Sequence, residues 1–173
     1  MERKQILLVG MGREDILVRK ALEGEDIAVL SADRSLLKKT VGEVFSQELT
    51  GVSEEAFRPA FLMFRNFSRE DLDPAIHLLR QAGLSHQPLK AMVTPTNWRW
   101  TLGDLYAELQ QEQQVMGALI RLRKLRDSMP LPDFMDIPAM KARMQAEALL
   151  KGGEEATVEA IEGAYQELLK YKK

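Results

Sequence analysis

The 173-residue sequence contains no cysteine and only two histidines. The lack of cysteine excludes disulfide bridges, thiolate zinc sites and cysteine nucleophiles, and two histidines are too few for a typical histidine-rich metal site. We therefore expect no metal and no cofactor. The GxxxxGK[ST] phosphate loop, the HExxH motif and the GxSxG motif are absent as well,. Because no recognisable catalytic set is present, the sequence favours a non-catalytic role without deciding the question.

Neither sign of charge predominates, since 24 lysines and arginines face 26 aspartates and glutamates. Nucleic-acid-binding proteins normally carry a basic excess, so we expect no nucleic-acid partner. The apolar run near the start of the chain, residues 6–9, is too short for a signal peptide or a membrane-spanning helix. We therefore expect a cytoplasmic protein that does not enter a membrane. The apolar share of 45% is typical of a globular chain,.

The order of apolar patterns predicts an α/β fold. Short apolar runs typical of β-strands occur at 6–9, 27–30, 60–64 and 89–93,. Helical patterns occur at 13–23, 33–45, 69–82 and 102–126, and residues 46–59 are predicted to form a loop. This alternation favours a small, four-stranded, mostly parallel sheet with crossover helices. A ferredoxin-like mixed sheet is the alternative.

The C-terminal part is predicted to consist of helices interrupted by a proline-containing segment. Three prolines within 129–138 end the long helix, and two shorter helices follow at about 139–151 and 154–171,. The last helix has an apolar seam that must be buried, formed by Val158, Ile161, Tyr165 and Leu168. The seam has three candidate partners, which are the sheet domain, a second chain and the face of the preceding helix that carries Met140, Met144 and Ala148. We predict an α/β domain over 1–112 and a helical extension over 113–173 that packs or dimerises.

A local pattern recurs at three predicted strand-to-helix junctions. It places a large apolar residue, a small capping residue, two further residues, an aspartate and another apolar residue in a row, at 11–16, 67–72 and 100–105. Ser68 and Thr101 are predicted to cap their helices, with Gly12 as an acceptable cap in the first copy. The Arg-Glu-Asp sequence shared by the first two copies also indicates an internal duplication of a strand–helix–strand–helix unit.

A parallel sheet would create a candidate site for a small anionic ligand. The carboxyl ends of parallel strands share one end of the sheet, where α/β proteins bind ligands. The loops expected there bring arginines, amides, hydroxyls and glycines together: Gly10, Gly12, Arg13, Arg34, Arg65, Asn66, Arg69, Thr96, Asn97 and Arg99. Guanidinium groups and helix N-termini suit a phosphate or carboxylate. The alternative interpretation is that these are surface arginines neutralised by neighbouring aspartates.

The two glycines of that set also form part of a weak cofactor motif. Gly10 and Gly12 follow a strand and precede a helix, and Asp33 ends the next strand, as in a dinucleotide-binding fingerprint,. Asp15 stands where the third glycine of that fingerprint is expected. The sequence therefore favours a helix-capping role for this turn over cofactor binding.

The most distinctive stretch is 89–109. It has an Ala-x-x-Thr-Pro-x-Asn segment, then Trp-Thr, then a Leu-x-x-Glu-Leu helix, on Ala91, Thr94, Pro95, Asn97, Trp100, Thr101, Leu105, Glu108 and Leu109. This series resembles the signature of an uncharacterised bacterial family, the domain of unknown function DUF3783, and the layout of residues 1–112 is similar to that family. The resemblance implies an intracellular α/β domain and no established activity. Some members are labelled PP-loop ATPases, but the SGGxD[ST] loop that this activity needs is absent here.

Two functional hypotheses follow from these observations. The first is a non-catalytic interaction or regulatory module that forms a homo-oligomer, or binds a protein partner, through its C-terminal helices. The second is a binder of a nucleotide or phosphorylated metabolite at the carboxyl ends of the strands.

Overall fold

The computed structural model describes residues 3–49, 51–152 and 156–172. Its strands are β1 (Lys4–Met11), β2 (Ile27–Ala32), β3 (Ala56–Arg65) and β4 (Leu89–Met92). Its α-helices are α1 (Asp15–Ala21), α2 (Val41–Phe45), α3 (Arg69–Gln81), α4 (Leu102–Ser128), α5 (Ile137–Leu150) and α6 (Val158–Leu169). Short 3₁₀ turns at Gly12–Glu14, Arg34–Lys38 and Asn97–Arg99 precede α1, α2 and α4. The chain divides into two compact units, Met1–Gln110 and Gln111–Lys173.

The sheet of the first unit has the strand order β2-β1-β3-β4. β2 is parallel to β1 and β4 is parallel to β3, so the predicted four-stranded, mostly parallel sheet is confirmed. The central pair, β1 and β3, is antiparallel, with Gln5 opposite Arg65 and Met11 opposite Ala56. β1 and β2 therefore finish at one end of the sheet, here called the Met11 end. β3 and β4 finish at the opposite end, here called the Arg65 end.

Alternating side chains of the central strands form two apolar cores, one on each face of the sheet. Because successive strand residues point to opposite faces, one face carries Ile6 and Phe64 and the other carries Leu7 and Phe61. The first face packs against α1 and α3, and the second packs against α2 and the start of α4. The result is a three-layer arrangement of helices, sheet and helices.

The segment that follows β2 differs from its predicted structure. A continuous helix over 33–45 was expected, but the chain forms a 3₁₀ turn and then the five-residue helix α2. The residues between them, Lys39 and Thr40, are extended. They pair with the segment before α4, where the Val41 N–H donates to the Trp100 carbonyl and the Leu102 N–H donates to the Lys39 carbonyl. This pairing explains the interruption, because it uses backbone groups that a continuous helix would need for itself.

The predicted loop 46–59 is also wrong in its second part, since β3 begins at Ala56 rather than at residue 60. The early start follows from pairing with the last residue of β1, because Ala56 lies opposite Met11. A register irregularity between Val9 and Met11 accommodates this extra length of strand,.

The second unit has a core of its own, formed by α5, α6 and the later part of α4. The predicted seam of α6 is buried in this core at Ile161 and Leu168. Of the three candidate partners, the preceding helix α5 packs against this seam. The face expected on α5 is wrong, because Met140 and Met144 are exposed. α5 buries its other face instead, which carries Ala142, Ala146 and Leu149. The predicted start of the last helix at residue 154 lies outside the described residues.

Candidate functional site

The predicted anion-binding residues do not form a single site. Two groups of these residues lie at opposite ends of the sheet. At or after the ends of β1 and β2, at the Met11 end, are Gly10, Gly12, Arg13 and Arg34. At or after the ends of β3 and β4, at the Arg65 end, are Arg65, Asn66, Arg69, Thr96, Asn97 and Arg99. At about 3.3 Å per residue, the eight residues of β1 separate the two ends by about 23 Å,. The expectation of a shared pocket is wrong because β3 runs antiparallel to β1.

The glycine turn at the Met11 end is filled by the protein's own chain. Gly10 and Gly12 have positive φ angles of 72° and 57°, which favour glycine. A Cβ atom at Gly10 would lie 2.8 Å from the ring of Phe57, and one at Gly12 would lie 2.6 Å from the Cβ of Ala56. The first residues of β3 therefore pack directly against this turn and leave no space for a side chain at either glycine.

Arg34 and Asp15 at the Met11 end form ion pairs within the fold. The Arg34 guanidinium pairs with Glu55 at 3.0 Å and lies 5.0 Å from the centre of the Phe57 ring. Asp15, the aspartate of the first copy of the junction pattern, has a buried side chain that accepts a hydrogen bond from the Ser31 hydroxyl and pairs with Arg19 at 2.5 Å. Arg13 is exposed to solvent.

A second polar cluster at the Met11 end fastens the loop after α3 to the turn before α1. Glu14 accepts hydrogen bonds from the backbone N–H and the hydroxyl of Ser85, and Arg58 lies 3.5 Å away. Partial burial opposes ionisation of Glu14, but the bonds from Ser85 and the charge of Arg58 outweigh it and lower the pKa of this carboxyl. His86 Nδ1 lies 2.8 Å from the Ser85 hydroxyl oxygen. The Ser85 hydroxyl donates its single proton to Glu14. The cluster therefore anchors the loop after α3 to Glu14.

The Arg65 end holds a small cavity beside a stacked guanidinium. The Arg65 guanidinium lies 4.8 Å from the centre of the Trp98 ring and 5.7 Å from that of Phe45, and it donates a 3.0 Å hydrogen bond to Gln5. Asn66 has a positive φ of 62° and donates to the carbonyl of Arg3. The cavity has a volume of about 290 Å³ and is lined by Arg65, Asn66, Val93, Thr94, Pro95 and Trp98.

Two residues beside this cavity support the loop after β4. The Thr94 N–H donates to Asn97 Oδ1 at 2.8 Å, and the Asn97 N–H donates to the Thr94 hydroxyl oxygen at 3.2 Å. Asn97 also donates from Nδ2 to the carbonyl of Met92 at 2.8 Å. These reciprocal bonds hold the Thr-Pro-x-Asn segment in its turn. Arg69, Thr96 and Arg99 are exposed and lie outside the cavity lining.

The two halves of the first unit meet at a junction that the sequence analysis missed. Each half consists of a βαβ segment, a 3₁₀ turn and a helix that begins after a threonine, and Thr40 and Thr101 form an isolated antiparallel bridge. Both threonines cap their helices, with Glu43 and Asp104 as the acidic partners. We call residues 37–45 and 98–106 the threonine junction. From each threonine onward the two segments have similar sequences, Thr-Val-Gly-Glu-Val-Phe and Thr-Leu-Gly-Asp-Leu-Tyr. This similarity is the sequence signal from which the junction could have been predicted.

Close packing across the threonine junction is reciprocal. A Cβ atom at Gly42 would lie 2.6 Å from the indole of Trp98, which belongs to the other half. A Cβ atom at Gly103 would lie 3.1 Å from the Leu37 carbonyl oxygen, again in the other half. Equivalent glycines in equivalent contacts are the arrangement expected of a duplicated unit.

The second unit carries an exposed apolar surface, which we call the α5 surface. It begins in the loop before α5 and continues along the helix, with exposed fractions of 80% for Leu131 and Phe134, 74% for Met135, 61% for Ile137, 36% for Met140 and 64% for Met144.

Neither a metal-binding cluster nor a membrane-spanning helix is found in the described part of the chain. Residues 3–49, 51–152 and 156–172 contain no group of three or more His, Cys, Asp or Glu side chains placed to hold a metal ion. Within the same ranges, no helix has the length and apolar character needed to cross a bilayer.

A family model matches the part of the chain that contains most of β3, then α3, β4 and the start of α4. Residues 60–116 match the family model described as Domain of unknown function (DUF3783). The predicted resemblance to DUF3783 is thereby confirmed over this stretch, which is narrower at its start than the expected range of 1–112. No curated protein and no solved structure matches the chain.

The signature residues of the DUF3783 match have structural roles here. Thr94 and Asn97 fix the loop after β4, and Thr101 caps α4. Leu105 and Leu109 are buried in the core under that helix. The signature therefore describes the scaffold around the threonine junction.

Proposed function

We propose that this chain is a non-catalytic interaction module that docks a protein partner through the α5 surface. The observation that supports it is that α5 is apolar on two opposite faces. One face, with Ala142 and Ala146, is buried in the core of the second unit, while the other, with Ile137 and Met144, is exposed. Adjoining apolar side chains that stay exposed are typical of interaction sites on soluble proteins. The exposed face therefore fits a binding surface.

The size and composition of the α5 surface support the same proposal. Six exposed large apolar side chains lie within residues 131–144, and exposed apolar groups of this kind mark interaction sites on soluble proteins. Three of the six are methionines, namely Met135, Met140 and Met144. Methionine is flexible and polarisable and recurs at adaptable binding surfaces.

The first unit then serves as the scaffold that carries this module. Its polar side chains form contacts within the fold, as described above: Asp15 and Arg34 form ion pairs, and Asn97 holds the loop after β4. We place the working protein in the bacterial cytoplasm, as the DUF3783 resemblance implies, and divide it functionally into the α/β domain 1–112 and the helical extension 113–173.

Photo-crosslinking in cells that produce this protein tests the proposal. A photoreactive amino acid replaces Met144 on the α5 surface or, as control, Gln166, which is exposed on α6. We expect a discrete protein adduct from position 144 and none from position 166. If position 144 gives no adduct beyond the control, the interaction role is contradicted.

The second candidate function is anion binding at the Arg65 end. The observation that favours it is the 290 Å³ cavity beside a guanidinium that is stacked on an aromatic ring. A binder of nucleotides or sugar phosphates should raise the melting temperature by mass action. Arg65→Ala should remove that shift, and Arg13→Ala at the Met11 end should retain it. Flat melting curves across a panel of such compounds would exclude this function.

A further inference from the structure

The two halves of the first unit correspond to each other residue by residue. The shared Arg-Glu-Asp sequence places Arg69 56 positions after Arg13, and the same separation relates Asn66 to Gly10. These last two residues lie where the first strand of each half ends, with φ angles of 62° at Asn66 and 72° at Gly10. A positive φ is uncommon for a residue with a side chain, so its recurrence at the corresponding position supports a duplication.

The pairing of the central strands gives the same separation independently. β1 and β3 are antiparallel, and Leu7 lies directly opposite Met63, which is 56 positions further along the chain. When two copies are related by a twofold axis, a residue at the axis lies opposite its own counterpart. The axis that relates the two halves therefore passes through the Leu7–Met63 pair, and both side chains are fully buried.

The outer strands correspond at a separation of 61 positions. In the first half, Ala28 of β2 lies beside Gln5 of β1. In the second half, Leu89 of β4 lies beside Phe61 of β3. Gln5 and Phe61 are 56 positions apart, whereas Ala28 and Leu89 are 61 positions apart. The second half thus has five additional positions between its two strands, where α3 has 13 residues and α1 has seven.

The hydrogen bonds of the threonine junction are reciprocal at this separation of 61 positions. The Val41 N–H donates to the Trp100 carbonyl at 2.9 Å, and the Leu102 N–H donates to the Lys39 carbonyl at 3.0 Å. Leu102 corresponds to Val41, and Trp100 corresponds to Lys39. Exchange of the two halves therefore maps each hydrogen bond onto the other, which is the property of an isologous interface between two copies of one partner.

The stretch 60–116 that matches the DUF3783 family model, here called the matched module, contains one half of this arrangement rather than both. We infer that residues 4–45 are a second copy of the matched module and that this module binds another copy of itself. The interaction surface consists of the first strand of each copy and its segment of the threonine junction. In this chain the two copies belong to one polypeptide, so each covers the surface of the other. The inference is independent of the α5 surface.

The physical reason for such pairing is the open edge of the first strand. A single copy has only two strands, and the edge of its first strand would present unpaired N–H and C=O groups. Antiparallel pairing of two first strands removes both edges and joins two small sheets into one sheet of four strands. A unit of this size otherwise buries too little of its apolar surface to be stable.

Corresponding side chains of the threonine junction share one core. Val41 and Val44 of the first copy, and Leu102 and Leu105 of the second, are buried together in it. Each leucine is 61 positions after its valine counterpart. Because the axis relates these positions, an exchange of the valines with the leucines keeps the volume of the core and returns each type of side chain to a corresponding site.

This exchange tests the correspondence. The pair variant Val41→Leu, Val44→Leu overfills the core, and the pair variant Leu102→Val, Leu105→Val leaves space in it. Each should lower the melting temperature of the first unit by about 4–8 °C or more. The fourfold variant that combines both pairs should regain most of this loss. A fourfold variant whose loss equals the sum of the two pair losses would overturn the inference.

The matched control conserves core volume at positions that do not correspond. It combines Val41→Leu, Val44→Leu with Leu7→Val, Leu109→Val, which changes two leucines buried in the same core. We expect no recovery, since these leucines are not the counterparts of the valines. Recovery equal to that of the exchange would show that volume alone decides, and the inference would fail.

A covalent probe tests the binding of the matched module to a second copy of itself. Leu7→Pro disables the central strand β1, because proline cannot donate to the ladder. The matched module should then pair through β3 with that of another chain, with position 63 of each chain at the axis. Since the natural chain has no cysteine, the Leu7→Pro, Met63→Cys chain has a single thiol. Oxidation with diamide should link two such chains by a disulfide.

Two further chains serve as controls for the probe. The Met63→Cys chain with an intact β1 should stay unlinked, because Leu7 lies opposite position 63. The Leu7→Pro, Arg65→Cys chain should stay unlinked as well, because β3 strands paired about position 63 place residue 65 opposite residue 61. Absence of the link at position 63, or equal linking at position 65, would overturn self-association of the module.

Discussion

At Gly42 the packing of a single ring leaves no room for a side chain. The backbone of Gly42 lies under the Trp98 indole. That indole stacks with the Phe45 ring, at a distance of 6.5 Å between ring centres, and also with the Arg65 guanidinium. The φ angle of Gly42 is not in the left-handed region. Glycine is therefore required here for space.

Gly42→Ala tests that requirement. The added methyl group would meet the indole at 2.6 Å, so we expect a loss of about 1–3 kcal/mol in the free energy of unfolding. Gly117→Ala is the matched control, because a Cβ at Gly117 in α4 would meet nothing within 4 Å. The control should stabilise the protein by about 0.5–1 kcal/mol through helix propensity. Urea unfolding of both variants measures the difference, and effects of the same sign would contradict the packing argument.

Asp71 makes stability depend on acid pH. Hydrogen bonds from Lys4, and then from the hydroxyl and backbone N–H of Ser68, lower the pKa of this carboxyl from 3.8 to about 2. A lowered folded-state pKa stabilises the folded protein above the unfolded-state value, and this contribution is lost as pH falls from about 4 to about 2.

The Asp71→Asn variant should accordingly be less stable than the original chain at pH 7 and equally stable near pH 2. Thermal unfolding across the pH range measures this convergence. A stability difference that is the same at pH 7 and pH 2 would show that the charge of Asp71 contributes nothing.

Among the elements, α2 and α4 depend on the threonine caps of the threonine junction. Thr40 accepts a hydrogen bond from the Glu43 N–H, and Thr101 accepts one from the Asp104 N–H at 3.0 Å. Without these bonds the first-turn N–H groups would lack partners.

Thr40→Ala and Thr101→Ala should each lower the free energy of unfolding by about 1 kcal/mol. The control is Thr96→Ala, since Thr96 is exposed and its side chain makes no cap bond to the following 3₁₀ turn. Denaturant unfolding compares the three variants. A loss at Thr96 equal to that at Thr40 would remove the capping explanation.

The Arg19 side chain partly covers the edge strand β2. The Arg19 guanidinium donates to the carbonyl of Val29 at 3.0 Å, to the Ser31 hydroxyl at 2.7 Å and to the Gly51 carbonyl at 3.1 Å, while it pairs with the buried Asp15. Engaged edge groups of this kind hinder pairing with strands of other molecules.

Arg19→Ala removes both the cover and the counter-ion of Asp15. Leaving a buried carboxylate without its partner should cost about 3 kcal/mol, and the uncovered strand should promote aggregation at high concentration. Unfolding and light-scattering measurements test both effects against Lys20→Ala, a change at an exposed neighbour. An Arg19→Ala chain as stable and as soluble as the control would contradict the role given to the arginine.

For the whole molecule, the presence of separate cores predicts separate unfolding. The first unit encloses Leu7 and Phe61, and the second encloses Leu122 and Ile161. We expect two calorimetric transitions. Ile161→Ala should lower only the transition of the second unit, by about 2–5 kcal/mol of unfolding free energy, and Leu7→Ala should lower only that of the first. A single transition shifted by both variants would show that the units unfold together.

Much of the first unit was predictable because its signals are local. Short apolar runs located all four strands, and Ser68 and Thr101 identified two helix starts through their capping chemistry. The candidate site was less predictable. Asp15 has the sequence position of a capping residue, but its partners, Ser31 and Arg19, come from packing of α1 against β2.

The sequence by itself determined the α/β class, the element order, the helical C-terminal part and the resemblance to DUF3783, since these depend on spacing and composition along the chain. The tertiary structure alone decided the direction of β3, because an apolar run has the same pattern whichever way its strand runs. That direction placed Arg34 and Arg65 at opposite ends of the sheet. Packing also decided which face of α5 is buried, since its alanine face and its methionine face are both apolar and only the small alanines let neighbouring helices approach closely.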